Sequence, residues 1–208
     1  MVEESQIKML VIVISTISLL LQIIGCVTPG WLNIAVEYIS IQSGLWYAVT
    51  CVHSKCVTAV GISGIPGANI GSGIYLTSMK LYQGLTVTGI ILCVVAVILL
   101  CRSRCSSMST DGPIKIAMIN LLLSGILAVA AAGKFGSGLL TAINTYSIYN
   151  QEHPYKFSYS LLITGTGGLL AFVVFLYLAC TLCRKRDNES TSGPQRGIVL
   201  STVPHGKV

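Results

Sequence analysis

Along this chain, long uncharged apolar runs alternate with polar connections. Four runs stand out: Met9 to Val27, Leu81 to Leu100, Ile116 to Gly133 and Tyr159 to Cys183. A helix needs about 20 mostly apolar residues to cross about 30 Å of hydrocarbon. In lipid each run must satisfy its own backbone hydrogen bonds, so each predicts a membrane-spanning α-helix. The chain then divides into a head at 1–8, spans at 9–27, 81–100, 116–133 and 159–183, connections at 28–80, 101–115 and 134–158, and a tail at 184–208.

The first long connection has a different period. Asn33 to Ile41 partly alternates, with Ile34, Val36 and Tyr38 opposite Ala35 and Glu37. Leu45 to Cys51 is aromatic and β-branched, and Val57 to Ile62 is again strand-like. These patterns predict a small antiparallel sheet standing on the membrane. Gly61 to Gly73 is glycine-rich and uncharged, which predicts turns, and it lacks the Lys-Ser/Thr that completes a phosphate-cradling loop.

Composition sharpens this picture. The 208 residues are 53% apolar and only 10% charged, against about 25% charged in a soluble domain. Much of the chain is therefore solvated by lipid. The net charge of +6 is read as orientation rather than nucleic-acid binding. Arg102, Arg104, Lys115, Arg184, Lys185, Arg186, Arg196 and Lys207 fall on one side. The longer connections on the other side hold Lys55, Lys80, Lys134 and Lys156. Positive charge marks the cytosolic face, so both termini are predicted to be cytosolic. The first run is too long for a signal-peptide core, and no small-x-small cleavage site follows it. Ile23-Ile24-Gly25-Cys26 has the form of a lipobox, but few cations precede it and three spans follow. Ser15, Ser18, Gly84, Gly89, Ser124, Gly125, Gly165, Gly167 and Gly168 are the small residues that let membrane helices approach closely. The middle of each span is uncharged, which argues against an ion path through the bundle.

Cys51 and Cys56 are the two cysteines predicted to face the oxidising side. With four residues between them they fit across a tight hairpin, and a disulfide there would pin strand register; two free thiols are the alternative. Cys101, Cys105, Cys180 and Cys183 sit at the inner surface beside arginines. They are candidates for palmitoylation, or small apolar residues at helix ends. Their C-x3-C and C-x2-C spacing would also suit zinc, but no structural need for a metal is evident and no cofactor is expected. Tyr146, Tyr149, Tyr155, Phe157 and Tyr159 cluster around Pro154, as an interfacial belt or as an adhesive loop. His53, His153 and His205 are far apart in sequence, and no carboxylate pair or nucleophile–base set is visible. Cys180-Thr181-Leu182-Cys183 has a redox-like spacing but lies on the cytosolic side, so an enzyme is not expected. The Ser/Thr/Gly/Pro-rich tail is predicted to be disordered. It ends in Lys207-Val208, and a C-terminal Val can enter the groove of a PDZ scaffold.

Trp31, then Gly44-Leu45-Trp46, then Cys51 and Cys56 resemble the W…GLW…C…C signature of the first extracellular loop of claudins. The resemblance covers about residues 7–186, mostly as topology. It implies a left-handed four-helix transmembrane bundle carrying a small extracellular antiparallel β-sheet, with the second loop adding an edge strand. Trp31 and Gly44-Leu45-Trp46 would wedge the sheet onto the bundle. It further implies a plasma-membrane, cell–cell junction protein that polymerises with itself and other claudins, within one membrane and across two. Such polymers form a paracellular barrier or pore. The pore and selectivity candidates are Glu37, Val52, His53, Lys55 and Val57. Their faint positive bias points to a barrier or weakly selective pore. The adhesion candidates are Tyr149, Asn150, Pro154 and Tyr155; Tyr149-Asn150 is similar to the family's second-loop motif, with Gln151 in place of its proline. Acylation of the inner cysteines and PDZ binding through Val208 are family features too, though Lys207 stands where tyrosine is typical. The close cysteines and the short stretch from Trp31 to Gly44 depart from most claudins. The peripheral myelin and epithelial membrane protein group, and auxiliary channel or receptor subunits, share the signature and give the alternative reading.

Overall fold

The structure is a computed structural model that describes residues 2–36, 39–53, 55–60, 73–105, 111–149 and 158–191. Its elements are α1 (Val2–Val27), β1 (Leu32–Val36), β2 (Ile39–Ser43), β3 (Tyr47–Val52), β4 (Lys55–Val60), α2 (Gly73–Cys105), α3 (Asp111–Tyr149) and α4 (Tyr159–Thr191).

Each helix holds a stretch long and apolar enough to cross a membrane: Gln6–Val27, Lys80–Arg104, Gly112–Gly138 and Tyr159–Arg184. Only 28–39% of the most apolar window in each is buried by protein. The remaining apolar surface requires lipid, and the chain is a multi-pass membrane protein. All four helices outrun their apolar runs, α1 beginning at Val2 rather than Met9. α2 starts at Gly73, α3 continues to Tyr149, and α4 carries on to Thr191, over residues 184–191 that polar composition assigns to the tail.

The helices run up, down, up, down, and each packs on two others: α1 on α2 and α4, α3 on α2 and α4. On each helix one row of buried positions alternates spacings of four and three, with Cys26, Gly125, Ala132 and Gly168 buried beside it. The row holds Val11, Ser15, Ser18, Gln22 and Gly25 on α1, and Tyr82, Thr86, Gly89, Cys93, Ala96 and Leu100 on α2. α3 contributes Ala117, Leu121, Ser124, Ala128, Ala131 and Phe135, and α4 contributes Ser160, Thr164, Gly167, Ala171 and Val174. This seven-residue repeat is the seam by which helices pack at shallow angles. Most of these residues are small, because helices in lipid gain from close backbone contact rather than from apolar burial. A Cβ added at Gly125 would lie 2.8 Å from the Gly168 carbonyl oxygen, and one at Gly168 would lie 3.1 Å from that of Gly125. Glycine on both sides is what allows α3 and α4 to cross there.

The interior is layered. At the end away from the sheet, Val11, Cys93, Ala96, Leu100, Ala117, Leu121, Ala171 and Val174 form an apolar core. A polar layer follows. Ser18 Oγ donates to the Gly167 carbonyl at 2.7 Å, Gln22 Nε2 donates to Ser124 Oγ at 3.3 Å, and it also reaches Ser18 Oγ at 3.4 Å. Gln22 is 1% exposed, so one amide ties α1 to α3 inside the bundle. The third layer joins bundle to sheet.

The sheet is antiparallel, in the order β1-β2-β3-β4. The stretch from Asn33 to Ile41, expected to be one strand, is two. Val36 pairs with Ile39, so the chain reverses through residues 37–38. Partial alternation looks alike on both sides of a tight reversal, and the sequence there offers no glycine or proline to mark it. Of the second connection, residues 134–149 are helical. The edge strand implied there falls to residues 150–157, outside the described residues.

Candidate functional site: the sheet and its seat on the bundle

The sheet meets the bundle through residues just outside α1, β3 and α4. Trp31 and Leu45 are fully buried, in a cluster with Cys26, Tyr82 and Phe135. The Trp31 ring meets Phe135 edge to face at 5.2 Å between centroids, and Phe135 meets Tyr82 likewise at 5.4 Å. Such pairs add about 0.5–1.5 kcal/mol beyond area burial. Trp31 Nε1 donates to the Gly25 carbonyl at 2.7 Å, and Trp31 N donates to the Ser43 carbonyl at 3.1 Å. One residue, through its indole and its backbone N–H, thus joins the top of α1, the end of β2 and the aromatic residues of α2 and α3.

The Gly44-Leu45-Trp46 turn acts beside it. Gly44 N donates to the Tyr47 carbonyl at 2.9 Å, which closes the turn between β2 and β3. A Cβ at Gly44 would lie 2.9 Å from the Thr28 carbonyl oxygen and 3.1 Å from Pro29 Cα. Only glycine lets the turn press onto the end of α1. Leu45 fills the pocket, and its carbonyl accepts a hydrogen bond from Gln83 Nε2 on α2. Trp46 stays 39% exposed and donates from Nε1 to Cys26 Sγ at 3.4 Å. An indole half in and half out suits the membrane–water boundary.

The α1–α4 side of the seat is polar. Gly30 N donates to Ser160 Oγ at 2.9 Å, and Ser160 N donates to the Gly30 carbonyl at 3.3 Å. Thr28 Oγ1 and Ser160 Oγ are 2.6 Å apart. Ser160 therefore serves the first turn of α4 and the exit of α1 together, satisfying backbone groups that a helix end leaves open. Thr164 Oγ1 and Ser158 Oγ are buried without a hydrogen-bond partner among the described residues. The Thr164 hydroxyl sits directly on the Gly25 backbone, in the space a Cβ would take.

Cys51 and Cys56 face each other across β3 and β4 and are joined by a disulfide. The strands turn through residues 53–54, with His53 at φ 45°, in the left-handed region of a two-residue hairpin. Of the selectivity candidates, Val52, His53, Lys55 and Val57 stand together at this tip, all exposed. Glu37 lies outside the described residues.

The other expected sites lie apart. Cys101, Cys180 and Cys183 are free and exposed at the far end of the bundle. Arg102, Arg104 and Arg184 are exposed beside them. The side chain of Cys105 lies outside the described residues. So do the side chain of Tyr149, all of Asn150, Pro154 and Tyr155, and the terminal Lys207 and Val208. Gln22, Gln83, Phe135 and Ser160 carry the seat and the layer beneath it, although no motif marks them. Their signal is physical: an amide such as Gln22 or Gln83 within an apolar run must find a partner inside the protein. The chain matches no protein-family model and none of the curated proteins with which it was compared.

Proposed function

We propose that the chain is a claudin-like cell–cell junction protein, a left-handed four-helix bundle that polymerises within and between membranes to form a paracellular barrier or weakly selective pore. The observation that carries this reading is the seat. The residues of the signature sequence, Trp31 and Gly44-Leu45-Trp46, are the ones that fasten a disulfide-braced sheet to four membrane helices. A row of buried positions with a seven-residue period favours a left-handed supercoil. Lys8, Arg102, Arg104, Lys115 and Arg184 are exposed at the end opposite the sheet, against Lys55, Lys80 and Lys134 at the sheet end. That excess supports cytosolic termini and an extracellular sheet. The plasma-membrane location, partnership with other claudins, acylation at Cys101, Cys105, Cys180 or Cys183, and PDZ binding through Lys207-Val208 belong to the same proposal.

Barrier action follows from the tip. Lys55 is its one fixed charge among the described residues, flanked by Val52 and Val57. An apolar constriction with little fixed charge neither replaces an ion's hydration shell nor concentrates counter-ions. The test is expression of the full chain in fibroblasts that lack junctions, followed by freeze-fracture electron microscopy. Continuous intramembrane strands at cell contacts are the expected result. Surface delivery without strands would overturn the polymer reading and favour an auxiliary subunit or membrane organiser.

A further inference from the structure

The buried rows of the bundle are made mostly of small residues, such as Ser15, Ser18 and Gly25 on α1, Ala128 and Ala131 on α3, and Ala171 on α4. Small faces let membrane helices approach closely, but they recur every three or four residues. One turn up or down, α1 would present much the same face to its neighbours. A single level breaks that repeat. Gln22 is the one amide in the four rows and is 1% exposed. Gly167 on α4 leaves it room: a Cβ there would lie 2.9 Å from Gln22 Cγ and 3.1 Å from Gln22 N. The row positions on either side of Gly167 are Thr164 and Ala171, each with the Cβ that glycine lacks. Gly89 on α2 borders the amide, its added Cβ lying 3.6 Å from Gln22 Oε1. Hydroxyls meet the polar atoms. Ser124 Oγ on α3 lies 3.3 Å from both ends of the amide, accepting from Nε2 and donating to Oε1. Ser18 Oγ accepts from Nε2 at 3.4 Å and donates to the Gly167 carbonyl. All four helices therefore bound or bond this one side chain.

We propose that Gln22 is the register key of α1: it selects the one height at which α1 packs against the other helices, and thereby the height at which the sheet is held over the membrane. A buried polar residue at a packing seam can specify register without adding stability. The selection comes from what misplacement costs. Slid one turn away from the sheet, the amide would enter the apolar core of Cys93, Ala96, Leu121 and Ala171 and lose its partners. Slid one turn toward the sheet, the side chain would meet Thr164 where Gly167 now yields, beside the aromatic cluster of Trp31, Tyr82 and Phe135. A buried amide left unpaired disfavours such states by about ten-fold or more. The sheet follows α1 because Trp31 Nε1 is bonded to the Gly25 carbonyl, just beyond Gln22. One turn is about 5.4 Å, enough to carry Trp31 off Phe135, whose ring centroid is 5.2 Å away. Gln22 is thus a positioning residue that acts through Trp31. This role belongs to the bundle alone and holds whether or not the chain forms junctions.

The test uses the full chain in phosphatidylcholine vesicles, with Cys26, Cys101, Cys105, Cys180 and Cys183 replaced by alanine. Cys93 on α2 reports the register, since its Sγ lies 4.0 Å from the Ser15 carbonyl oxygen. Val11→Cys, Ser15→Cys and Leu19→Cys are made one at a time. Copper phenanthroline oxidises the introduced thiol and Cys93 to a disulfide, which is scored by mass after the remaining thiols are alkylated. With Gln22 present, Ser15→Cys should cross-link at least ten-fold faster than the other two. With Gln22→Ser, which leaves an ordinary small row, that preference should fall below three-fold. Ser18→Gln with Gln22→Ser moves the amide one turn along α1. Val11→Cys should then overtake Ser15→Cys, as α1 slides toward the sheet. An intact Cys51–Cys56 bond and unchanged helical content check folding throughout, and should the relocated chain not fold, the Gln22→Ser ratio decides alone. A ten-fold preference for Ser15→Cys that survives Gln22→Ser would overturn the proposal, even with a lower melting temperature, because Gln22 would then only stabilise. So would a relocated amide that leaves Ser15→Cys ahead.

Discussion

At the scale of single residues, the glycines that matter are those against a neighbouring backbone. A Cβ at Gly25 would land on the Thr164 hydroxyl, 2.8 Å from Thr164 N and 2.9 Å from the Ser160 carbonyl oxygen. Backbone cannot step aside as a flexible side chain can. Gly25→Ala should therefore cost about 1–3 kcal/mol, read as a lower melting temperature of the purified protein in detergent. Thr164→Ala in the same chain should recover only part of the loss, since the two backbone atoms remain. Gly84 meets nothing within 4 Å, and Gly84→Ala should change stability by less than about 0.5 kcal/mol. Gln22 gives a second prediction. Hydrogen bonds between membrane helices average about 0.6 kcal/mol, because the separated helices also find partners. A double-mutant cycle of Gln22→Leu with Ser124→Ala should return a coupling of about that size; zero coupling would mean that the amide and hydroxyl act separately. Trp31, Gly44, Leu45 and Trp46 are legible in the sequence as a motif, and the structure supplies the reason for each. Gln22 was not singled out in the sequence, although an amide in an apolar run is a physical signal, and its partner could not have been read at all. Ser124 is 102 positions away, and only the assembly of the bundle, with α1 and α3 diagonal to each other between α2 and α4, brings them together.

At the scale of elements, the spans are the legible part, because length and apolarity alone decide them in lipid. The strands are less so. The reversal between β1 and β2 shows only in the pairing of Val36 with Ile39, and the intervening sequence, Glu37-Tyr38, has no glycine, proline or asparagine to announce it. The hairpin between β3 and β4 was half legible: the cysteine spacing suggested it, but the left-handed residue is His53 rather than the usual Gly or Asn. His53→Gly should therefore stabilise the hairpin by up to about 1 kcal/mol, as glycine accepts positive φ without strain. His53→Val should destabilise it by a similar amount or more. The disulfide closes a short loop and stabilises by about 2 kcal/mol in the chain-entropy account. Both effects are read by limited proteolysis of the sheet, with and without reductant. The expected order of protection is His53→Gly, then wild type, then His53→Val, all falling when Cys51–Cys56 is reduced. Helical content should not change, because the seat at Trp31 and Leu45 lies at the other end of these strands.

At the scale of the whole molecule, the remaining question is which way it faces. The energetic bias lies in the cations at the span ends. Arg102 and Arg104 close the apolar stretch of α2, Lys115 opens that of α3, and Arg184 closes that of α4, all exposed at the end remote from the sheet. Lys80 and Lys134 flank the spans at the sheet end. Retention of cations on the cytosolic side would place the sheet outside, as the proposed function requires. Glycosylation reads this directly, since Asn-x-Ser/Thr is modified only on the luminal, later extracellular, side. Asn188-Glu189-Ser190 is such a sequence in the natural chain, at the end away from the sheet, and should stay bare. Val52→Asn completes a second one with His53 and Ser54, at the exposed tip of the sheet, and should acquire a glycan that a glycosidase removes. The opposite result, a glycan at Asn188 and none at the tip, would turn the molecule over and end the junction reading. Two bare sites with a correctly formed Cys51–Cys56 bond would do no such thing. A bond found oxidised in the expressed protein would by itself mark that side as outside, so bare sites would then mean only that the enzyme cannot reach a short hairpin held close to the membrane.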